Sequence, residues 1–200
     1  MQPWTPTPLQ PERTVAPTVR LLTTDEAKAH LRVSGNADDE YIDSLVLAAE
    51  QHLDGFAGIL GRALITQTWS RSFNGFPYGD TVRLPLGDLQ SVISVMYYDL
   101  DGSHLAFGSS NYHAVADATG PCVKLAYAAI WPNTAIRPDA VTVTWVCGYG
   151  DAAANVPAPI IHAAKLLISH WYDNRQLMAV GQHVLEVPHS VTSLLAGFAR

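Results

Sequence analysis

Residues 140–175 decide the fold of this chain, and they read AVTVTWVCGYGDAAANVPAPIIHAAKLLISHWYDNR. Apolar and polar residues alternate over Val141–Cys147, which is typical of a half-buried strand. Gly148 and Gly150 follow, and glycine supplies the backbone angles of a sharp turn. Behind Pro157, which suits a first helical turn, apolar residues recur at helical spacing. The stretch therefore predicts a strand, a glycine turn and a long amphipathic helix whose apolar face must be covered.

The chain before this stretch is rich in strand signals. From Ile65 to Phe73, apolar or long side chains alternate with Thr and Ser, a pattern that favours a pleated strand. Glycine, proline, asparagine and aspartate separate the runs that follow. Further strands are predicted at Thr81–Leu84, Gln90–Tyr98, Tyr112–Ala116, Cys122–Ala126 and Ala140–Cys147.

Two helices are predicted ahead of the strands. Thr23 and Glu26 have the spacing of a capping box, which starts a short helix that closes near Gly35. Asp38 is placed to cap a long amphipathic helix that ends around 58–61. Arg62 would then act as a capping cation at the end of that helix.

A last short helix is predicted after a loop through Gly181 and Pro188. Ser190 can cap it, and its apolar residues share one face: Val191, Leu194, Leu195 and Phe198. That face either folds back on the chain's own core or inserts into a groove of a partner. The residues alone leave both alternatives open.

These elements predict an α+β protein with three parts. Residues 1–20 contain five prolines, a composition that favours an extended arm. Residues 21–62 and 152–200 hold two N-terminal helices, one long C-terminal helix and the short terminal helix. Residues 63–151 form a central β-rich insertion.

Composition excludes several classes of function. A net charge of -6 over 200 residues disfavours a broad grip on nucleic-acid phosphates. No run has the apolar length of a membrane span, and the N-terminal segment does not resemble a secretory signal, so we expect a cytoplasmic product without a membrane partner. Cys122 and Cys147 are expected to be reduced thiols. A disulfide between them is the alternative if their strands are neighbours.

The most conspicuous polar cluster is residues 170–175. An enzyme that used His170, Tyr172 and Asp173, such as a small hydrolase or tail-associated enzyme, would need these groups to converge on one reacting atom. Successive helix residues point in different directions, so we favour a helix end in which His170 pairs with Asp173 and Arg175 complements the dipole. The motifs of common hydrolases, zinc enzymes and nucleotide-binding proteins are missing, which predicts no catalytic residue, no metal site and no cofactor.

Two other features favour structural roles. The segment from Asp99 to Ser103 resembles the start of a calcium loop but lacks the later acidic ligand, so a hairpin turn is the better interpretation. Trp69, Trp131 and Trp145 would mark a carbohydrate- or protein-binding module only if they formed an exposed platform. We expect these three rings to lie in the core.

Three segments together resemble a known family. They are Leu22–Val33, Gly61–Trp69 and Gly148–Asp151 with Val156, Pro157 and His170–Arg175. In this order and spacing they are similar to the head-to-tail connector, or adaptor, proteins of long-tailed bacteriophages and phage-like particles. Leu84–Leu86, Ser91–Val95 and Tyr97–Asp99 resemble the β-rich part of one branch of that family.

This resemblance implies a structural virion protein rather than an enzyme. It implies a ring, expected to be a dodecamer, between the portal protein and the tail-side stopper or terminator, through which DNA passes without specific binding. The expected location is the virion or phage-like particle, assembled in the bacterial cytoplasm. By the same resemblance, portal binding is expected of Val191, Leu194, Leu195 and Phe198, and subunit contact of His170, Tyr172, Asp173 and Arg175.

Overall fold

The computed structural model describes residues 6–175 and 189–199, and the chain folds as two compact units. One unit is helical and contains residues 18–65 and 150–200. The other is built from strands and contains residues 1–17 and 66–149. The predicted α+β fold class is confirmed.

The described residues of the helical unit form four α-helices. Their bounds are α1 Thr24–Leu31, α2 Asp39–Leu53, α3 Ala158–Asp173 and α4 His189–Leu195. Helix α3 packs against α1, α2 and α4 and is therefore the centre of the unit. Its buried face matches most of the predicted stripe: Ile160, Ala164, Leu167 and Ile168 are buried and Ala163 is added, whereas the predicted Ile161 and Trp171 are half-buried. None of the helices in the described ranges is both long and apolar enough to cross a membrane.

Helix α1 begins with the predicted capping box. The backbone N–H of Glu26 donates to Thr23 Oγ1 at 3.2 Å, and the backbone N–H of Thr23 donates to Glu26 Oε2 at 2.9 Å. These bonds satisfy two donors that a helix start leaves open. The hydrogen bonds that Thr23 donates to the Glu26 carboxylate also lower the pKa of Glu26.

Helix α2 ends earlier than predicted, at Leu53 rather than around residues 58–61. The chain turns back there, with Gly55 N–H bonded to the Arg62 carbonyl at 2.7 Å and Ile59 N–H bonded to the His52 carbonyl at 2.8 Å. At Gly58 a Cβ atom would lie 2.5 Å from the backbone oxygen of Asp54, so the turn requires glycine. The apolar period continued past the helix because this compact turn also buries Leu60.

The β unit contains two antiparallel sheets. The five-stranded sheet has the order β1-β2-β8-β4-β5 and the three-stranded sheet the order β3-β7-β6. In these orders the strands are numbered along the chain, over the described residues, as β1 Glu12–Val15, β2 Gln67–Phe73, β3 Thr81–Arg83, β4 Leu89–Tyr98, β5 His104–Ala106, β6 Tyr112–Asp117, β7 Gly120–Leu125 and β8 Val141–Cys147.

Strand β8 is the central strand of the larger sheet. It pairs with β2, where Trp145 lies opposite Trp69, and with β4, where Trp145 lies opposite Val92. Its burial alternates strictly from Val141 to Cys147, as the sequence predicted. Trp145 is fully buried and Trp69 is buried, so these two rings are core residues and form no exposed platform.

The proline-rich segment supplies an edge strand that the sequence did not predict. Strand β1 pairs with β2, and all four of its residues are exposed. Ahead of it, Leu9 N–H donates to the Ser72 carbonyl at 2.8 Å, and Arg71 Nε donates to the Leu9 carbonyl at 2.8 Å. Prolines are compatible with this position because an edge strand needs only one row of backbone hydrogen bonds.

The Asp99–Ser103 turn is a hairpin, as expected, and it joins β4 to β5. Asp99 Oδ1 accepts the backbone N–H groups of Asp101 and Ser103 at 3.0 and 2.8 Å. Gly102 has a φ of 81°, in the left-handed region that glycine adopts readily. The carboxylate of Asp99 therefore orders the turn.

The two cysteines lie on strands of different sheets. Cys122 on β7 and Cys147 on β8 are both buried, and they form no disulfide. Burial raises the pKa of the Cys122 thiol. A buried protonated thiol acts as a small apolar residue, which fits the prediction of reduced cysteines.

Candidate functional site

The end of α3 is tied to the start of α2 by a polar cluster around Asp38. The Tyr172 hydroxyl donates to Asp38 Oδ2 at 2.6 Å. Arg175 donates from a guanidinium nitrogen to Asp38 Oδ1 at 3.2 Å. One carboxylate on the N-terminal helix pair thus holds two residues of the predicted 170–175 cluster.

Two tyrosine rings complete this cluster. The Arg175 guanidinium lies 4.4 Å from the ring centre of Tyr41 and 4.9 Å from that of Tyr172. The two ring centres are 6.0 Å apart. Tyr41 also donates its hydroxyl to the Trp171 carbonyl at 3.3 Å, which satisfies an acceptor near the end of α3.

The prediction that Asp38 caps α2 needs a correction. Asp38 occupies the N-cap position, but its side chain makes no capping hydrogen bond to the helix. Its carboxylate faces Tyr172 and Arg175 instead, because a phenol and a cation at this distance offer stronger partners than one backbone N–H.

The electrostatics of the cluster favour a fixed structural contact. The Tyr172 hydrogen bond, followed by the bond from Arg175, lowers the pKa of Asp38. The same bond to Asp38 raises the pKa of Tyr172, and the carboxylate also raises the pKa of Arg175. Tyr172 therefore keeps its proton, which is the opposite of what a tyrosine base or nucleophile needs.

The other two residues predicted for this contact are placed differently. His170 is half-buried, and its backbone carbonyl accepts the side-chain amide of Asn174 at 2.7 Å. Asp173 is exposed. The expected pairing of His170 with Asp173 does not occur in the described part of the chain, where Asn174 closes the helix end instead. Nor do the described residues contain a group of three or more metal-binding side chains.

The apolar face of α4 is divided between the core and the surface. Val191 and Leu195 are buried, and α4 packs on α3. Leu194 is half-buried, and so is Phe198, which lies in the turn after α4 and not on the helix as predicted. Of the two alternatives that the sequence left open, Val191 and Leu195 fold back on the chain's own helical unit.

Arg62 anchors the segment that follows α4. Its Nε donates to the Phe198 carbonyl at 2.7 Å. The sequence predicted a cap for a helix that ends around residues 58–61, but α2 ends at Leu53, and Arg62 Nε binds a carbonyl 136 residues further along the chain. No local pattern could have revealed this partner.

Asp38, Tyr41 and Arg62 are the residues of these contacts that sequence reasoning missed or assigned to another role. The available signal was charge, because Asp38 and Arg62 are charged residues at turns next to a helix and each binds a partner there. Their partners were not identifiable because they lie more than a hundred residues away.

No known protein-family model and no curated protein sequence significantly matches this chain. Solved structures do share its fold. The chain aligns with a protein in the neck of an empty gene transfer agent (GTA) particle, resolved with sixfold symmetry, at a TM-score of 0.72 and 20% identity. The alignment covers 96% of this chain and 95% of that one.

Two further solved structures share the fold of this chain. A chain in the virion of a native GTA particle aligns at a TM-score of 0.70 with 20% identity. A chain in the neck of a native GTA particle, resolved with twelvefold symmetry, aligns at 0.70 with 19% identity. Both alignments cover 96% of this chain and 95% of the other. The whole fold is therefore one that occurs in the necks of such particles.

Proposed function

We propose that this protein is a structural neck component of a tailed phage or gene transfer agent particle. In this proposal it is a head-to-tail connector, or adaptor, whose copies form a ring between the portal protein and the tail-side stopper or terminator. The observation that carries the proposal is the end-to-end likeness to chains of GTA particle necks. A shared short motif would be far weaker support than a likeness over 96% of the chain.

The division of the chain into units supports the connector architecture. We infer that residues 21–62 and 152–200 are the helical connector core and that residues 63–151 are a β-rich insertion. The helical unit and the β unit have closely similar limits. The difference lies in the proline-rich segment, which belongs to the β unit through its pairing with β2.

A ring requires two different surfaces on each copy, because neighbours in a cyclic ring meet head to tail. We infer that there are twelve copies, in keeping with the twelvefold symmetry of a similar neck. A net charge of -6 per copy would keep DNA from adhering if the acidic surface faces the lumen. DNA would then pass without a base-specific contact, and no cofactor or catalytic step is needed.

For portal docking we propose the exposed side of the α4 face. Val191 and Leu195 hold the helix on its own unit, so the half-buried Leu194 and Phe198 remain to meet a portal groove. Arg62 holds the backbone of Phe198 in place through the hydrogen bond of 2.7 Å to its carbonyl. The four residues thus divide between positioning the helix and contacting the portal.

For subunit contact we propose the outer edge of the Asp38 cluster. Arg175 and Asp173 are exposed, while Tyr172 and His170 are half-buried. The Asp38 bonds fix the position of Arg175, so a neighbouring copy would meet a preorganised cation rather than a mobile one.

Docking to purified portal tests this assignment most sharply. We expect the double variant Leu194→Asp/Phe198→Asp to lose portal binding by at least about tenfold, because two desolvated carboxylates replace an apolar contact. The matched control is Thr192→Asp/Ser193→Asp, which places the same charges on exposed positions of the same helix. Equal binding by both variants would refute the α4 assignment.

A further inference from the structure

Six large apolar side chains are exposed at the loop end of the β unit, as far as its described residues show. They are Leu9 (44% exposed), Leu100 (70%), Ile130 (81%), Tyr78 (82%), Tyr127 (101%) and Ile136 (105%). We call these six residues the apolar loop face. Isolated exposed apolar residues are common on proteins, but a contiguous group marks an interaction site.

Five of the six members line two adjoining open grooves. The first groove, of about 670 Å³, is lined by Tyr78, Leu100 and Ile130. The second, of about 690 Å³, is lined by Leu9 and Ile136. Thr134 lines both grooves, so the two adjoin. Tyr127 lines neither groove and belongs to the segment between β7 and β8 that also carries Ile130 and Ile136.

The segment 126–140 that carries half of the face is held in place. The Trp131 ring stacks on Phe76 with centres 4.5 Å apart and planes at 7°. Trp131 Nε1 donates to the Gly79 carbonyl at 2.8 Å, and Ala135 N–H donates to the Tyr98 carbonyl at 2.9 Å. A long loop without strands or helices that is fixed in this way is characteristic of a binding loop.

The two grooves carry almost no net charge. Asp80 is the charged residue of the first groove, and it pairs with Lys124 at 3.4 Å. Arg137 is the charged residue of the second, and it forms two bonds to Asp139 at 2.6 and 2.7 Å. Those bonds raise the pKa of Arg137 and lower that of Asp139, so both stay ionised.

Neutrality indicates which partner fits the face. Identical copies of a chain with a net charge of -6 repel one another over most of their surface. A basic partner would be recognised by acidic surface, and DNA by basic surface, whereas this face offers neither. An apolar, charge-balanced surface is where two acidic copies can approach without a Coulomb cost.

We propose that the apolar loop face is a contact between adjacent copies of this chain. The inference rests on the proposed ring and assigns one of its two subunit surfaces, with the grooves receiving a different surface of the next copy. Tyr127 and Ile136, the two most exposed members, would contact the neighbour, and Trp131 fixes the segment that carries them by stacking on Phe76. The Asp38 cluster on the helical unit is a separate surface with its own chemistry.

Photocrosslinking in particle-producing cells tests the assignment. A benzophenone amino acid placed at Tyr127 or Ile136 is expected to give a covalent dimer of this chain, identified by mass spectrometry. The control position is Ile93, which is 58% exposed on β4 and lies outside the face. A crosslink from Tyr127 or Ile136 to a different particle protein, or equal dimer yields from all three positions, would overturn the proposal, as would the absence of any dimer.

A second experiment uses substitutions that should not unfold the chain. We expect Ile130→Ser/Ile136→Ser to weaken self-association at least about tenfold in mass photometry, while the matched pair Ile93→Ser/Val115→Ser leaves it unchanged. Unchanged association of the first pair would contradict the assignment.

The proposed function is tested separately, by the presence of the chain in purified particles. A chain that is incorporated into particles but crosslinks another protein from Tyr127 or Ile136 refutes the loop-face contact and leaves the neck role standing. A chain that is absent from particles yet forms the dimer refutes the neck role and leaves the loop-face contact standing. Absence from particles together with absence of the dimer refutes both.

Discussion

The polar cluster around Asp38 and the apolar loop face are opposite kinds of surface. In the cluster, one carboxylate binds Tyr172 at 2.6 Å and Arg175 at 3.2 Å, so the conspicuous polar groups are largely satisfied within the chain. On the loop face, Tyr127 and Ile136 are fully exposed among the described residues. Tyr172 and Arg175, which belong to the most conspicuous polar cluster of the sequence, are thus bonded within the chain, whereas the exposed apolar residues belong to no recognisable motif.

Substitutions in the two regions should affect different properties, namely the stability of the free chain and its association. Satisfied groups contribute to the stability of the free chain, because removing one leaves its partner without a bond. Exposed apolar groups contribute little to that stability and much to association. Stability and assembly should therefore respond to different substitutions.

The largest effect on stability is expected for Leu195→Ala. Leu195 is buried where α4 packs on α3, and truncation of a buried leucine costs about 2–5 kcal/mol of unfolding free energy. Chemical denaturation followed by circular dichroism measures it. Thr192→Ala, at an exposed position of the same helix, should change the free energy by less than about 0.5 kcal/mol. A Leu195→Ala protein as stable as the parent would mean that α4 does not fold back on its own unit.

A smaller loss of stability is expected for Tyr172→Phe. The change removes the hydroxyl that donates to Asp38 and keeps the ring beside Arg175. Asp38→Asn should cause a similar loss, and the double variant should lose less than the sum because the two groups share one interaction. Thermal unfolding of all three variants gives the coupling. Full additivity would show that the bond contributes nothing.

Acid should remove the contribution of Asp38. Its pKa is lowered in the folded chain, so the contribution is present above the unfolded value of about 3.9 and is lost as the pH falls through the lower folded value. The stability difference between the parent and Asp38→Asn should therefore be constant near neutral pH and shrink below about pH 4. Denaturation at a series of pH values measures this difference, and one that grows on acidification would contradict the assigned sign.

The smallest effect on stability is expected on the loop face. Ile136→Ser should change the free energy of unfolding by less than about 0.5 kcal/mol, because the side chain is already in water. The same replacement at the fully buried Val143 should cost several times more. If Ile136→Ser destabilised the isolated chain as much as Val143→Ser, the loop face would be part of the core rather than an assembly surface.

Local patterns predicted much of the fold. The capping box of α1, the alternation of β8, the stripe of α3 and the Asp99 turn each depend on residues within a few positions of one another, and each was predicted from sequence. Periodicity and turn chemistry report such short-range contacts directly.

The rest depended on contacts between distant residues. The bond from Tyr172 to Asp38 spans 134 residues and that from Arg62 to Phe198 spans 136, and neither has a local signature. Strand β1 was missed because the prolines on either side of it favour an extended arm, and only its pairing with β2 makes it a strand. The portal-binding and subunit-contact assignments remain proposals based on the family resemblance.

The most direct test of the neck proposal is electron cryo-microscopy of particles purified from cells that produce the chain. We expect density for this fold as a closed ring at the neck, with twelve copies and with segment 126–140 of each copy against the next. Complete necks that lack the chain, or a chain recovered only outside the particles, would contradict the proposed function.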